Sequence, residues 1–339
     1  MSKIAIVGEA WGKDEARLGK PFVGYAGRIL RAYLRQVGID FNQCLVTNVF
    51  NFQPRPTNNI INVCGPRTEG IPGRPYLLRG KYVRAEFAPE LERLEAELKA
   101  FEPNVVIALG ATASWALLDT SGIGQVRGAP LMSDRVGLKV LPTYHPSAVG
   151  RDWTRRPIFL ADLAKAKRET AYPEVRRPAR ELWIDPTLDD VFIFYNRYIV
   201  PAKRLSVDIE TIADQITCLG IAPSPQVGLV IPFHDPRQPD GNFWRTLEEE
   251  LEVWRLLRQI LTDPEKKVIG QNFLYDSNFL WTKYGIPVVG MAEDTMLLHH
   301  ALQPEMEKGL DMLASLYSDE LKWKFMRKGG QLTTKKHEG

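Results

Sequence analysis

Cysteine is scarce in this chain of 339 residues: Cys44, Cys64 and Cys218 are all there is. An odd, widely spaced set builds no disulfide framework and supplies no CxxC metal pair, which points to a reducing cytoplasm. Charge of one sign is also lacking. A formal net charge of +3 is too small to name a partner. No apolar run approaches transmembrane length, so no membrane partner is expected. No signal peptide is visible either, because Lys3 leads straight into a strand-like run.

What is present is ordinary globular material, 44% hydrophobic and 25% charged, long enough for two domains with a core each. β-Branched or apolar runs at 4–7, 45–49, 104–109 and 138–141 predict strands. Helical spacing of apolar residues covers 28–37, 90–101, 110–118 and 158–168. The stretch 51–80, rich in Pro, Gly, Asn and Arg, reads as an irregular excursion. This alternation predicts a parallel sheet covered on both faces. Ligands of such sheets lie beyond the carboxyl ends of the strands, where Glu9, Asn48, Gly110 and His145 fall. Prolines 173, 178 and 186 mark a linker at 172–186. Beyond it, 204–208, 216–221 and 228–231 predict a three-strand meander, followed by helices over 245–261, 277–284, 295–302 and 310–316 and a short strand at 267–269. Residues 151–180 hold nine Lys/Arg against four Asp/Glu, which fits a solvated helix and linker or a phosphate-facing strip.

Cleaving the N-glycosidic bond of a deoxynucleotide requires reading an extruded base, stabilising charge on the departing base and directing water at a cationic sugar. The strand ends carry suitable groups. Glu9 and Glu15 flank a Gly-containing loop, Phe22 offers an aromatic face, Asn48 has both donor and acceptor, and His145 offers a hydrogen bond to an oxyanion. Taken singly, each has a bland reading as a cap, a core ring, a turn former or a structural histidine.

Together, GEAWGKDEARLGKPFVGYAG at 8–27, TNV at 47–49 and HPS at 145–147 resemble the uracil-DNA glycosylase superfamily, with the family 4 type and its phage relatives nearest in pattern. The resemblance implies Glu9, Glu15 and His145 as catalytic residues and Ala10, Phe22 and Asn48 as the uracil-binding set. Ala10 stands where better-known members carry a water-activating Asp, and Trp11 replaces the usual Pro. Family 4 members hold an iron–sulfur cluster on four cysteines. Here Phe52 and Phe87 stand about where two of them would be, so no cluster is expected and apolar packing takes over its bracing role.

Downstream, Asp208 and Glu210 lie two apart near a strand end, so their carboxylates share a face and attract Mg²⁺ or Mn²⁺. SVDIET, GQNFLYDSNFL and the EDTMLLHHAL segment resemble the 3′–5′ proofreading domain of family A DNA polymerases. That resemblance implies Asp208, Glu210 and Asp276 as metal ligands. The family's third motif would run past Gly339, so the nuclease is expected to be incomplete and weak alone, in a fragment or a split gene product. Tyr317–Glu320 comes too early to be that motif, and His299 and His300 read as structural.

The expectation is an α/β chain of two domains: a parallel-sheet α/β/α uracil-DNA glycosylase fold at 1–171, a linker at 172–186, and a ribonuclease H-like 3′–5′ exonuclease fold lacking its C-terminal part at 187–339. The expected function is uracil excision, with a non-catalytic uracil sensor of a split phage polymerase as the alternative. DNA, single-stranded or primer-template, is the expected partner, together with a downstream polymerase polypeptide. The expected location is the cytoplasm, that of a bacterial host for a phage-encoded protein.

Overall fold

A computed structural model describes residues 3–120 and 122–320. The chain forms two compact units, Met1–Arg176 and Arg177–Leu310, and the described residues 311–320 cluster with the first. The division falls inside the proline-marked stretch. No described helix is long and apolar enough to cross a membrane.

The first unit is built on a sheet of β1 (Ile4–Ala10), β2 (Leu45–Phe50), β3 (Val105–Leu109), β4 (Leu131–Met132) and β5 (Lys139–Thr143), in the order β2-β1-β3-β5-β4. The first four positions in that order are parallel, as expected, but β4 runs antiparallel to β5 at the edge. Its two residues, after a Gly-containing turn, were too short a signal to read as a strand. Alternation along β1 sends Ala5 and Val7 to one core and Ile4 and Ile6 to the other. Helices α1 (Lys13–Leu18) and α2 (Tyr25–Gln36) follow β1, and α3 (Ala88–Phe101) and α4 (Gly110–Leu118) flank β3. After β5 come α5 (Pro146–Arg151) and α6 (Arg156–Glu169). Leu94 and Leu98 of α3 pack in the first core, and Leu30 and Leu34 of α2 join Phe159 and Leu163 of α6 in the second. The i, i+4 spacing of each pair puts both side chains on one helical face.

The second unit has a six-stranded sheet of β6 (Glu181–Trp183), β7 (Arg204–Ile212), β8 (Gln215–Ser224), β9 (Val227–Pro232), β10 (Lys267–Gly270) and β11 (Met291–Asp294). Their order is β11-β10-β7-β8-β9-β6. β7, β8 and β9 form the antiparallel meander read from the sequence. β6 lies inside the expected linker and pairs parallel with β9. Its three residues gave no periodicity to find. Around this sheet are α7 (Leu188–Phe194), α8 (Leu247–Thr262), α9 (Leu274–Tyr284) and α10 (Thr295–Leu302).

The last described helix, α11 (Leu310–Tyr317), buries Met312, Leu313 and Ser315. Its partners are charges. Arg127 and Asp162, both fully buried, form an ion pair at 3.0 Å. Asp162 also accepts from Thr143 Oγ1 at 2.7 Å. Arg127 donates in addition to Ser315 Oγ. Lys165 Nζ donates to the carbonyls of Gly128 at 2.9 Å and Ser315 at 2.7 Å, and to that of Ser318. Removing one partner of a buried pair strands the other charge, at about 3–5 kcal/mol. Asp162→Ala is therefore expected to lower the unfolding free energy of the first unit by about that amount. A urea midpoint unchanged from wild type would show that water reaches Arg127.

Candidate active site

Three strand ends of the first sheet, those of β1, β2 and β5, meet around a cavity of about 500 Å³. Glu9, Ala10, Glu15, Phe22, Asn48 and His145, the six residues expected from the sequence, all line it. So do Trp11, Lys13, Asp14, Tyr25, Asn58 and Arg151.

The floor depends on Gly8. It pairs across the sheet with Asn48. A Cβ at Gly8 would lie 2.2 Å from Asn48 Oδ1 and 2.5 Å from Phe22 Cζ, so only glycine lets both side chains settle on β1. Phe22 is buried and has φ of 55°, a left-handed conformation that costs a non-glycine residue energy. Two features hold it there. Arg31 Nη1 donates to the Phe22 carbonyl at 2.7 Å, and Gly27 leaves room for that oxygen, which a Cβ would meet at 1.7 Å. The Phe22 ring then lies 6.2 Å from the His145 ring at an interplanar angle of 30°.

Asn48 is 2% exposed, and its Nδ2 has no hydrogen-bond partner. Buried amide donors are almost always satisfied, so an orphan in a cavity marks a place for a ligand acceptor. The backbone around it is held by Arg93, which donates to the carbonyls of Asn48 at 2.8 Å and Val49 at 3.1 Å.

His145 is the N-cap of α5. Its Nδ1 accepts from the Ser147 backbone N–H at 3.3 Å and lies 2.7 Å from Ser147 Oγ. An accepting Nδ1 leaves the proton on Nε2. Burial, and then the charge of Arg151, bring its pKa down to about 4, so the ring is a neutral N–H donor in neutral solution.

The two glutamates differ. Glu9 accepts from Thr112 Oγ1 at 2.6 Å. Burial pushes its pKa up, while the Thr112 bond and Arg151 pull it down. Glu15 is buried and staples the loop: its oxygens accept from Gly12 N at 3.1 Å and Gly24 N at 2.8 Å. With each oxygen on a backbone amide, Glu15 is suited to positioning the loop, and Glu9 is the acid with an oxygen to spare. Sequence reasoning missed Thr112, Arg31 and the pocket role of Arg151. Thr112 and Glu9 lie 103 positions apart, and no local pattern ties them. Arg151 counted only as one charge in a basic stretch.

In the second unit, β7 buries Leu205, Val207 and Ile209 and turns Asp208 and Glu210 to the opposite face. Asp276, in the first turn of α9, accepts from Ile209 N at 2.9 Å. Burial first, and then Asp208 and Glu210, raise its pKa to about 6. The three expected ligands thus stand within electrostatic reach of one another. Their oxygens suit Mg²⁺ or Mn²⁺. Yet no group of three or more His, Cys, Asp or Glu among the described residues is arranged to hold a metal ion. The donor chemistry fits while the gathering does not. Asp294 proves to be a loop anchor: it accepts from Asn272 N at 3.1 Å and Phe273 N at 2.8 Å and caps α10 through Met296 N at 2.8 Å. His299 is buried and His300 exposed.

A family model described as uracil DNA glycosylase superfamily matches residues 1–173, and one described as 3′-5′ exonuclease matches 198–335. The type-4 uracil-DNA glycosylase of Thermotoga maritima is 35% identical over 171 residues, which cover 49% of this chain and 77% of that protein. The type-4 uracil-DNA glycosylase of Archaeoglobus fulgidus is 31% identical over 159 residues, 44% of this chain and 67% of that one. A DNA polymerase of Bacillus phage SP01 is 23% identical over 327 residues, 88% of this chain but 32% of the polymerase. The chain belongs to the uracil-DNA glycosylase superfamily, and in it the glycosylase unit is followed by a 3′–5′ exonuclease module.

Proposed function

We propose that the first unit hydrolyses the N-glycosidic bond of uracil in DNA, and the orphaned Asn48 amide in the Phe22–His145 cavity carries this reading. Uracil stacks on Phe22. Asn48 Oδ1 accepts the N3–H, and Nδ2 donates to O4. His145 Nε2 donates to O2. As the N1–C1′ bond breaks, its electron pair passes to the base, and the neutral His145 N–H stabilises the resulting anion without first having to lose a proton. A water adds to C1′, and its proton passes to Glu9, the only one of the two glutamates not fully engaged by backbone amides. Ala10 contributes a small wall, and Glu15 shapes the loop. The type-4 relatives support the substrate class.

We infer domain bounds of 1–171 for the glycosylase, 172–186 for the linker and 187–339 for the partial exonuclease. The similarity to part of a phage polymerase supports a replicating polymerase as partner, single-stranded or primer-template DNA as the working substrate, and a bacterial host cytoplasm as the location. Iron–sulfur ligation is not supported by the thiols. The chain holds three cysteines, one short of the four thiolates that such a cluster takes. Phe52 and Phe87 stack at 5.4 Å and both meet the buried Phe50, an aromatic brace.

Asn48→Asp is expected to slow single-turnover uracil excision about 30- to 1,000-fold, because the carboxylate loses the donor and repels O4. Abasic-site formation on uracil-containing oligonucleotides measures it. Wild-type protein that binds such DNA and makes no abasic sites would favour the sensor reading instead.

The pH profile separates the two titrating groups. With its pKa near 4, His145 stays neutral between about pH 5 and 8 and gives no inflection there. The acidic limb belongs to Glu9, whose raised pKa means that excision falls as the solution is acidified through that value. Loss of this limb in Glu9→Gln, with His145 imidazole shifts flat by NMR, is the expected result. A His145 shift change centred near 6.5 (about the free value) would contradict the assignment.

Metal removal should discriminate the modules. EDTA is expected to leave uracil excision intact, and the purified protein to carry no stoichiometric iron. Mg²⁺-dependent digestion of 3′ ends by this chain is expected to be slight, since the carboxylates among the described residues are not gathered for two ions. Robust digestion that Asp208→Ala abolishes would show that a metal gathers them.

A further inference from the structure

Trp11 lines the cavity, and its Nε1 is buried without a hydrogen-bond partner. Trp11 follows Ala10 at the end of β1, and its own backbone N–H donates to the Phe52 carbonyl at 3.1 Å, which fixes the residue at the cavity wall. An indole N–H only donates, so the group it awaits is an acceptor. The proline usual in the motif would present no donor here.

Which acceptor follows from what the uracil reading leaves over. In that reading O4 faces Asn48 and O2 faces His145, so each carbonyl of the base already has a donor. The sugar ring oxygen loses electron density as the oxocarbenium character grows, which makes it a poor acceptor when it matters. The phosphodiester oxygens are anionic and can only accept. The cations Lys13 and Arg151 line the same cavity. Among the acids there, Glu15 is held by two backbone amides and Glu9 by Thr112, and Asp14 lies 3.8 Å from Arg17. We propose that Trp11 Nε1 donates to a non-bridging phosphate oxygen next to the extruded deoxyuridine and is a substrate-positioning residue of this glycosylase. This rests on the uracil-excision reading above.

The test is Trp11→Phe, which keeps a ring and deletes the donor, with a thermal melt to check its fold. Single-turnover excision is measured on oligonucleotides carrying one deoxyuridine, unmodified or with a neutral methylphosphonate at each flanking linkage in turn. On unmodified DNA the variant should lose about 10- to 100-fold in kcat/KM, mostly through KM, as for a hydrogen bond to a charged group. One methylphosphonate position should cost wild type a similar factor and cost the variant little more. An unchanged kcat/KM in the variant, or equal losses in both proteins at every linkage, would overturn the proposal. Should wild type excise nothing, the excision reading fails by itself. Affinity for the same oligonucleotides, read by fluorescence anisotropy, then decides the indole contact by the same pattern of loss.

Discussion

The absent side chain at Gly8 is the constraint on which the site depends. β1 and β2 are hydrogen-bonded neighbours, so Asn48 stands directly across from Gly8, and Phe22 closes over the same spot. One methyl group there would displace the Asn48 side chain and the Phe22 ring together. The approach of Phe22 demands a left-handed backbone at that residue, and that conformation demands Arg31 and Gly27 behind it. The strain is concentrated at Phe22, in the wall of the cavity, and ordinary packing of α2 against the sheet holds it in place. Asn48 and Phe22 are thus placed by backbone contacts of the fold itself: Arg93 on the Asn48 carbonyl and Arg31 on that of Phe22.

Much of this was legible in the sequence because it is written locally. Alternating apolar residues in 4–7 and the helical repeat in 28–37 are short-range patterns, and the motif residues sit at the strand ends that topology brings together. What could not be read was set by distance or brevity. The two-residue strand Leu131–Met132 and the three-residue strand Glu181–Trp183 are shorter than any periodicity. The division of labour between Glu9 and Glu15 is invisible in the motif, since both look like active-site acids. Only the fold shows Thr112 at one carboxylate and the amides of Gly12 and Gly24 at the other.

The second unit teaches the same lesson with a different result. Period two along β7 put Asp208 and Glu210 on one face, as the sequence indicated, and Asp276 came beside them. A shared face is not a chelate. Asp276 spends Oδ1 on the Ile209 amide, and burial first, with Asp208 and Glu210 adding to it, raises its pKa. The aspartate of the EDTMLLHHAL segment, by contrast, is spent on backbone amides of a loop and a helix start.

The burial of α11 against Arg127 and Lys165 also orders the events of synthesis. A ribosome makes Arg127, Asp162 and Lys165 first, then the whole of Arg177–Leu310, and only then Ser315 and Ser318. Until those last residues emerge, the nascent first unit lacks two of the three carbonyls that take the Lys165 ammonium, and the Ser315 hydroxyl that takes an Arg127 N–H. Its folding cannot be completed when its own sheet is finished. The first unit reaches its final form only after the sequence of the second has been translated, so the two units mature on a single schedule.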